Sequence, residues 1–479
     1  MKPSKLSSGV LILAGLIYAQ IHQWPCFQHD PQHTGCTPNR VGDSYREVLI
    51  CPNEPVSDKV TGSPVISEGG DVYIQSQNET LYSFGPYYPY LGLRWLCDLD
   101  SLGSDISANT PALDDGSSIY LCTNRRLCKF SDLGPCLWSW PHDGHLTISH
   151  SPTIGGDGWI YFGANKDSFY GLSPDGAEFW GYDVEGDISG APAIGPYGDI
   201  AIATKGGTQN YLYCFTPGRE FRWRYPLTEE ADGSSPMIDP DSVCYVGAGH
   251  YLYAVNADGT LKWRSDSLSA SIHCTPALGP NGAIYVVAGT RLYAFPHDGT
   301  HWTWRVSIGT NSSTPTASPV VDGDGTVYVG SQDSVFWAIN PDSSVKWSYH
   351  TGGGIQSSAA ISNNSLIYVG GNDHKFYCIV GTNAAVTETR RACPRQLTLA
   401  VTPVILTDWS VATYFLPGPA ACRLGLYDVT GKLVTTLTTG YHAAGASSFI
   451  VHRSSLSAGI YLVRFETDEG NIGRKLIVK

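Results

Sequence analysis

The residues best suited to chemistry in this chain are histidines, acids and an amide that lie far apart in the sequence. Near the N-terminus, His29, Asp30 and His33 place three candidate metal ligands close together. A metal site takes three or four ligands, and this spacing supplies no fourth, so we expect this segment to act as a structural lead-in or lid. His150 and His273 could meet only if the fold joined distant segments. Their use therefore depends on the elements that position them.

The chain is built from a repeat with steps of 40 to 47 residues. Residues 151–163 (SPTIGGDGWIYFG), 235–247 (SPMIDPDSVCYVG) and 318–330 (SPVVDGDGTVYVG) share one pattern of strand, turn and strand. We call the second residue of this pattern the anchor. The eight anchors are Pro64, Pro111, Pro152, Pro192, Pro236, Pro276, Pro319 and Ala359. Self-similarity at this period is typical of repeat architectures, and it predicts eight structural units.

Each repeat contains four predicted strands. A third strand and an Asp-Gly hairpin follow the first two, as in residues 251–263 (YLYAVNADGTLKW), and the fourth strand ends on tryptophan. Four short strands per repeat predict an all-β, eight-bladed β-propeller, also called a WD40-like ring. An aromatic residue at one fixed repeat position favours packing between blades. These predicted interblade residues are Trp95, Trp140, Trp180, Trp223, Trp263, Trp304 and Trp347.

The eighth repeat lacks its own tryptophan strand, because the chain passes from residues 376–380 (FYCIV) into a linker. A candidate for the missing strand, residues 46–51 (REVLIC), precedes the first anchor. Cys51 lies as many residues before Pro64 as Trp263 lies before Pro276. We predict that residues 46–51 complete the eighth blade by pairing with residues 375–380. Cys51 and Cys378 would then lie on neighbouring strands, within reach of a disulfide.

Ligands of a propeller bind where the innermost strands and their loops surround the central channel. The residues three positions before the anchors predict one channel mouth, and most of them are small and uncharged: Thr61, Ala108, Ser149, Ser189, Gly233, His273, Thr316 and Gln356. We predict that His150, Asp232, His273 and Gln356 bind a ligand there. We predict no catalytic residue and no metal site, since isolated acids such as Asp105 and Asp232 are usually solvated.

Composition fits this picture and excludes some partners. The 479 residues include 53 Gly, 30 Pro and 28 Tyr, which favour short strands joined by tight turns. A net charge of −13 disfavours nucleic acid and anionic membranes as partners.

Residues 1–20, with Lys2, Lys5 and an apolar run from Val10 to Ile17, predict a signal peptide, and no later run is long enough for a transmembrane helix.

The 13 cysteines are an odd number, so at least one thiol is expected to stay unpaired. Four of them crowd one stretch: Cys97, Cys122, Cys128 and Cys136. Two interpretations compete for this group, namely buried small hydrophobes and cross-strand disulfides, and the first is favoured because strand cysteines are commonly buried.

The repeats resemble the pyrroloquinoline-quinone-like (PQQ-like) propeller family, and residues 24–35 (WPCFQHDPQHTG) are similar to the lead-in of its secreted members. The resemblance implies one of two activities. Some members are quinoprotein dehydrogenases that use PQQ with calcium, and others are cofactor-free binding scaffolds, such as the propeller subunit of the outer-membrane barrel assembly machinery. The adjacent cysteine pair of many dehydrogenases does not occur here. We therefore expect no cofactor, and PQQ with calcium is disfavoured.

The tail resembles the C-terminal sorting domain of the type IX (Por) secretion system. The matching stretches are residues 426–434 (LYDVTGKLV), 456–465 (LSAGIYLVRF) and 474–479 (RKLIVK). Alternating apolar residues at Ile460, Leu462 and Phe465 predict a small Ig-like antiparallel β-sandwich. The usual Pro-Asn-Pro at the domain start is replaced by Thr402-Pro403-Val404, so the entry strand departs from the family pattern. The resemblance implies handling by the type IX secretion machinery.

The predicted organisation is a signal peptide (1–20), an eight-bladed propeller (21–386), a linker (387–396) and a sorting β-sandwich (397–479). The favoured function is noncatalytic binding of a protein or glycan on one propeller face. The protein is expected to reach the medium or cell surface of a Gram-negative-type bacterium through the periplasm. A PQQ-dependent dehydrogenase and an extracellular polymer hydrolase or lyase are the alternatives.

Overall fold

The computed structural model describes residues 23–50, 58–77, 79–85, 92–99, 109–141, 147–148, 150–164, 167–310, 317–383, 398–402, 405–406, 409–416, 420–442, 445–453, 456–467 and 470–478. The predicted signal peptide and linker lie outside these residues. The regular elements in the described ranges are β-strands. Within them, no helix has the length and apolar character needed to cross a membrane.

Eight antiparallel sheets form the first body of the protein, counted over the described residues; each has four blade strands, and one has a short fifth strand as well. In the first seven, chain order is also the order from the innermost to the outermost strand. The first blade consists of β2 (Val65–Ile66), β3 (Val72–Gln75), β4 (Thr80–Gly85) and β5 (Gly92–Asp98), the second of β6 (Ala112–Leu113), β7 (Ile119–Cys122), β8 (Leu127–Phe130) and β9 (Cys136–Trp140), and the third of β10 (Thr153–Ile154), β11 (Ile160–Ala164), β12 (Ser168–Leu172) and β13 (Phe179–Asp183). The fourth blade consists of β15 (Ala193–Ile194), β16 (Ile200–Lys205), β17 (Asn210–Phe215) and β18 (Phe221–Leu227), and the fifth of β19 (Met237–Ile238), β20 (Cys244–Ala248), β21 (Tyr251–Val255) and β22 (Leu261–Arg264). The sixth blade consists of β23 (Ala277–Leu278), β24 (Ile284–Ala288), β25 (Arg291–Phe295) and β26 (Trp304–Ser307), and the seventh of β27 (Val320–Val321), β28 (Val327–Gly330), β29 (Val335–Ile339) and β30 (Val345–His350).

The eighth blade is closed by the N-terminus. It consists of β31 (Ala360–Ile361), β32 (Leu366–Gly370), β33 (Phe376–Gly381) and, as the outer strand, β1 (Tyr45–Ile50). The pairing predicted for the closing strand is therefore present. Its register differs from the prediction, because Leu49 rather than Cys51 holds the position that tryptophan occupies in other blades, opposite Cys378. Cys51 itself lies outside the described residues.

The strands of a blade alternate in direction, which gives the propeller two different ends. Turns between the first and second strands and between the third and fourth lie at one end, here called the turn end. Turns between the second and third strands and the segments between blades lie at the other, here called the loop end. A short extra strand, β14 (Asp187–Ile188), pairs with the loop end of β16.

The tryptophans of the outer strands pack against the next blade. Trp95, Trp223 and Trp263 donate their indole N–H to a carbonyl in the third hairpin turn of the following blade, at 2.8–3.1 Å. A Cβ on Gly259 of that turn would lie 2.8 Å from the Trp223 ring, so glycine is needed there for space as well as for its positive φ. The eighth blade has no such hairpin, and the buried Trp347 indole N–H correspondingly has no partner among the described residues.

One tryptophan position differs from the prediction. In six blades the tryptophan pairs with the same position of the third strand, as Trp263 pairs with Ala254, and in four of the six a bulge follows that position. The residue at this place in the second blade is Trp138, which pairs with Lys129, whereas Trp140 pairs with Leu127 two positions further on. Trp140 nevertheless contacts aromatic side chains of the third blade, as an interblade residue should: Phe162, Tyr170 and Phe179. Sequence spacing missed the shift because Trp138 lies 14 residues before Pro152, whereas Trp263 lies 13 before Pro276.

A ring of hydroxyl groups links the innermost strands. The residue before each anchor donates its backbone N–H to the Ser or Thr hydroxyl at the same position of the next blade, and seven of the eight joints have this bond. The pairs are Ser63–Thr110 (3.2 Å), Thr110–Ser151 (2.8 Å), Ala191–Ser235 (2.9 Å), Ser235–Thr275 (3.2 Å), Thr275–Ser318 (3.0 Å), Ser318–Ser358 (2.9 Å) and Ser358–Ser63 (3.0 Å). The last pair closes the circle from the eighth blade to the first. Ala191 interrupts it because alanine offers Ser151 no hydroxyl.

The ring predicts opposite effects for two neighbouring substitutions. Ser235→Ala leaves the buried N–H of Ala191 without its acceptor and is expected to lower the free energy of unfolding by about 1–3 kcal/mol. Ala191→Ser supplies the missing hydroxyl and is expected to raise it by about 0.5–1.5 kcal/mol. Urea unfolding of both variants measures this. Equal effects of the same sign would show that the hydroxyl ring does not stabilise the closure.

The N-terminal residues 23–41, here called the lead-in segment, line the channel at the turn end. The second residue of six innermost strands donates its N–H to a lead-in carbonyl at 2.6–2.9 Å, in ring order. The pairs are Ile66–Trp24, Leu113–Pro25, Ile194–Pro31, Ile238–Gln32, Leu278–Thr34 and Val321–Gly35. Trp24 and His33 are almost completely buried. The segment therefore follows the inner circumference of the ring before it continues into β1.

The tail forms two sheets with a core of their own. The strands are β34 (Thr398–Thr402), β35 (Ile405–Leu406), β36 (Trp409–Leu416), β37 (Ala420–Asp428), β38 (Leu433–His442), β39 (Gly445–His452), β40 (Gly459–Thr467) and β41 (Gly470–Val478). The sheet orders are β34-β36-β39 and β35-β41-β40-β37-β38, and β35 runs parallel to β41. Tyr414 stacks on Phe465 with ring centroids 3.8 Å apart and joins the two sheets.

The inward face of β40 differs from the predicted pattern. Phe465 is fully buried, but Ile460 and Leu462 are 48% and 42% exposed. Because side chains alternate along a strand, the residue two positions before Phe465, Val463, shares its buried face, and Ile460 and Leu462 point the other way. The sequence interpretation had placed Ile460, Leu462 and Phe465 on one face, but their uneven spacing puts Phe465 on the opposite face of the strand.

Candidate functional site at the loop end of the channel

The four predicted ligand-binding residues lie in the segments that enter innermost strands at the loop end. His150, Asp232, His273 and Gln356 precede β10, β19, β23 and β31, respectively. The structure brings His150, Asp232 and His273 together through shared contacts, whereas Gln356 is half-buried on the eighth blade. Among the other predicted mouth residues, Thr61 is half-buried and Ser189 is buried. Ala108, Ser149 and Thr316 lie outside the described residues.

A lysine that the sequence interpretation missed joins this group. Lys205 ends β16, and its ammonium nitrogen lies 2.5 Å from Asp232 Oδ1. It was missed because it lies on the second strand of the fourth blade, whereas the mouth residues were predicted only from the segments that precede the anchors. The signal that could have found it is the longer fourth repeat, with a 44-residue step between Pro192 and Pro236. We call His150, Lys205, Asp232 and His273 the mouth cluster.

Backbone carbonyls fix the two imidazoles of the mouth cluster. His150 Nε2 donates to the carbonyl of Ile188 at 3.0 Å, and His273 Nδ1 donates to the carbonyl of Asp232 at 3.0 Å. Each bond joins a segment to the one that enters a neighbouring blade. Gly233 has a φ of +73°, and a Cβ there would lie 3.2 Å from the His273 carbonyl. Glycine thus lets the Asp232 segment approach His273.

The electrostatics of the mouth cluster favour an ionised acid and a neutral imidazole. The hydrogen bond from Lys205 holds the pKa of Asp232 below its usual value, and His273 and His150 act in the same direction. Burial lowers the pKa of His150 to about 4, and Lys205 adds to this, although the Ile188 carbonyl opposes it. At neutral pH the cluster therefore presents a carboxylate, an ammonium and at least one neutral imidazole. It contains no hydroxyl or thiol nucleophile.

Asp232 and Lys205 remain reachable by a ligand, since their side chains are 48% and 34% exposed. His273 is 22% exposed. A carboxylate and an ammonium at fixed positions can recognise a polar partner by charge-assisted hydrogen bonds. The arrangement is thus suited to binding.

The lead-in histidines have structural roles. His33 Nδ1 donates to the carbonyl of Pro236 at 3.1 Å, and its Nε2 lies 3.3 Å from the hydroxyl of Thr153, which can donate to it. Asp30 accepts hydrogen bonds from the backbone N–H and hydroxyl of Thr34. His29 lies edge-on against Trp24, with ring centroids 4.7 Å apart. These contacts tie the lead-in segment to the third and fifth blades.

Burial of His33 predicts a loss of stability in acid. Burial lowers the pKa of His33 to about 4, against the Pro236 carbonyl and Asp30, so the unfolded chain binds a proton at a higher pH than the native protein. The stability that neutral His33 provides is complete above pH 6.5 and is lost as the pH falls towards 4, by roughly 3 kcal/mol. His33→Gln is expected to lose less stability than the parent between pH 7 and pH 4.5 in urea unfolding. The control is His301→Gln, because His301 is 76% exposed; equal losses for parent and His33→Gln would contradict the prediction.

One group of potential metal ligands occurs among the described residues. Asp239, Asp241 and His297 each offer a ligand atom within 4.8 Å of the others. Asp239, however, already accepts the backbone N–H groups of Asp241 and Val243, the Tyr245 hydroxyl and His297 Nε2. The same turn recurs at Asp322, which accepts from two backbone N–H groups and Tyr328. This geometry indicates a structural turn.

The crowded cysteines are thiols in this structure. Cys122 and Cys128 are fully buried, in agreement with the small-hydrophobe interpretation. Burial raises the pKa of the Cys122 thiol well above its ordinary value. Cys97 and Cys136 are half-buried, and Cys136 shares a side-chain hydrogen bond with Cys128.

Comparison with known proteins identifies both parts of the chain. Residues 165–271 and 248–390 match the repeat family described as outer membrane protein assembly factor BamB. Residues 414–479 match the secretion system C-terminal sorting domain. No curated protein matches the sequence.

Three solved structures share the propeller fold at low identity. A quinohemoprotein alcohol dehydrogenase from Comamonas testosteroni has a TM-score of 0.61 and 12% identity, over 76% of this chain and 82% of that one. BamB from Moraxella catarrhalis has a TM-score of 0.56 and 14% identity, over 70% and 99%. The computationally designed Ika8 protein has a TM-score of 0.56 and 12% identity, over 70% and 100%. An enzyme, an assembly factor and a designed protein thus share this architecture, which does not define the activity.

The repeats, the eight closed blades and the matched tail together identify the chain as an all-β propeller of PQQ-like, BamB-related repeats that ends in a secretion system sorting domain.

Proposed function

We propose that this protein is a secreted or cell-surface scaffold that binds a partner at the loop-end mouth of its propeller without catalysing a reaction. The protein passes through the periplasm, and the sorting domain directs it across the outer membrane. The observation that carries the binding role is the mouth cluster, in which Lys205 and Asp232 are fixed by each other and partly exposed. Because the lead-in segment occupies the turn end of the channel, the proposal places the partner at the loop end.

The mouth residues that the structure describes do not fit PQQ with calcium. PQQ carries several carboxylates, which need cationic neutralisation, and calcium takes six to eight oxygen ligands. Within the mouth cluster, Lys205 is the one permanent cation and Asp232 the one carboxylate, and they already neutralise each other. Ser189 cannot substitute for a ligand, because its buried hydroxyl donates to the carbonyl of Ala203. A dehydrogenase role therefore has little support at this site.

Reconstitution tests the noncatalytic part of the proposal. The purified full-length protein is mixed with PQQ and calcium, freed of excess, and assayed for quinone absorbance and for alcohol- or aldose-dependent dye reduction. We expect no stoichiometric quinone and no turnover. Retained quinone with substrate-dependent turnover would replace the scaffold proposal with the dehydrogenase.

Site-directed photo-crosslinking on intact cells of the native host tests the binding part. A photoreactive amino acid is placed at Gln356, at the loop end, or at Leu96, which is 55% exposed on an outer strand. We expect a discrete adduct from the Gln356 position, weakened by Asp232→Asn, and none from the Leu96 position. Identical adduct patterns from both positions, or a Gln356 adduct insensitive to Asp232→Asn, would contradict binding at the mouth.

A further inference from the structure

A groove lies between the fourth and fifth blades at the turn end, away from the mouth cluster. Its cavity measures ≈ 480 Å³. Pockets that bind small molecules fall in the range of about 300–1,000 Å³. The lining consists of two turns from each blade and one outer-strand residue: Tyr197, Asp199, Thr216, Pro217, Arg222, Asp241, Ser242 and Ala257.

Tyr197 occupies a turn position at which the other repeats have Gly, Asp or Asn. The position five residues after the anchor is the tip of the first turn of each blade, and the other seven repeats carry only Gly, Asp or Asn there: Gly69, Gly116, Asp157, Asp241, Asn281, Asp324 and Asn364. Turn geometry explains those residues. Tyr197 is 72% exposed, so packing does not explain it. A residue that breaks a local rule without a structural gain indicates a functional site.

Charged groups stand beside this ring. Asp199 and Arg222 form an ion pair on the fourth-blade wall. The same pair occurs in the first blade as Asp71 and Arg94, where the turn tip is Gly69, so of these two blades the fourth is the one that combines the pair with an aromatic turn tip. Asp241 stands on the fifth-blade wall, positioned by its backbone N–H bond to Asp239 Oδ1 at 2.9 Å. The groove therefore combines an aromatic ring with a guanidinium donor and carboxylate acceptors.

We propose that this groove binds a neutral pyranose unit of a polysaccharide, with the apolar face of the sugar on Tyr197 and its hydroxyls bonded to Asp199, Arg222 and Asp241. A sugar presents one apolar CH face and a rim of hydroxyls, which this lining matches. Two carboxylates against one guanidinium, in a protein of net charge −13, oppose acidic glycans. A protein partner fits less well, since stable interfaces bury more than about 1,000 Å². The site is additional to the proposed mouth and does not depend on it.

Calorimetric titration of the full-length protein tests the proposal. The probes are neutral cello-, xylo-, malto- and manno-oligosaccharides, with oligogalacturonate as the acidic counterpart. We expect saturable binding of at least one neutral series and none of oligogalacturonate. Tyr197→Asn, which installs the residue that Asn281 supplies in the sixth blade, is expected to weaken binding by roughly tenfold, since an aromatic contact contributes on this scale. Tyr197→Phe, which keeps the ring, is expected to stay within about threefold.

Two controls separate this site from the mouth and from misfolding. Trp302→Ala removes another exposed aromatic residue, on the sixth blade, and Asp232→Asn alters the mouth cluster; both should leave saccharide binding unchanged. Thermal melting verifies that Tyr197→Asn is folded. Absence of saturable binding by every neutral series, preferential binding of oligogalacturonate, or parental affinity in folded Tyr197→Asn would each overturn the proposal. Loss of binding in Asp232→Asn with parental affinity in Tyr197→Asn would place the saccharide at the mouth instead.

Discussion

Removal of residues 397–479 is expected to leave a folded propeller that stays in the periplasm. The sorting domain match covers residues 414–479, and the tail core is built only from its own strands, around Leu424, Phe465 and Leu476. The propeller cores contain none of these residues. The truncated chain should therefore keep its fold and lose its export signal. Fractionation of the native host into periplasm, outer membrane and medium measures the outcome.

The controls for this experiment are full-length variants with local changes. Tyr197→Asn and Ala191→Ser alter the propeller without touching the tail, and both should reach the surface or medium as the parent does. A protease-resistance test on the truncated protein separates retention from degradation. Equal export of the truncated and full-length chains would show that the tail is an accessory domain for this protein.

The number of blades and the source of the closing strand could be predicted because both depend on the repeat period. Eight anchors gave eight sheets, and an eighth repeat without a fourth strand pointed to the N-terminus. Without a fourth strand, the third strand of the last blade would expose its backbone edge, so the missing strand had to come from elsewhere in the chain. This inference needed no side-chain detail.

Positions within the strands were harder to predict. The second-blade tryptophan and the closing-strand residue were each placed two positions too far along, at Trp140 and Cys51 instead of Trp138 and Leu49. The number of residues between the outer strand and the next anchor differs from blade to blade: Trp263 lies 13 residues before Pro276, Trp138 lies 14 before Pro152, and Leu49 lies 15 before Pro64. Counting back from the anchor by a fixed number therefore misplaces the residue where this segment is longer.

The mouth cluster was predicted in part for a similar reason. His150, Asp232 and His273 lie beside anchors, where the repeat defines a common position on the innermost strand. Lys205 comes from the end of a second strand, and its position depends on the extra length of β16 and its pairing with β14. The hydroxyl ring was missed as well, since Ser or Thr before proline is common and its role is visible only across two blades.

Deletion of residues 21–52 is expected to destroy the closed propeller. The deletion removes β1, which pairs with β33, and the lead-in carbonyls that accept hydrogen bonds from six innermost strands. It also removes Trp24, which is 1% exposed; loss of this side chain alone is expected to cost about 3–5 kcal/mol. The bare edge of β33 then offers unpaired backbone groups to other molecules. Light scattering should show aggregation, and any remaining monomer should melt more than about 10 °C below the parent.

A matched pair of substitutions on β1 tests closure of the eighth blade without shortening the chain. Leu49 is half-buried against the core shared by the first, seventh and eighth blades, whereas the neighbouring Ile50 is 42% exposed. Leu49→Asp places a carboxylate against this apolar core and is expected to cost about 1–3 kcal/mol. Ile50→Asp changes a solvent-facing position and is expected to stay within about 0.5–1 kcal/mol of the parent. Equal stabilities of the two variants in urea, or a truncated protein that stays monomeric with the parental melting temperature, would show that the N-terminal strand does not close the ring.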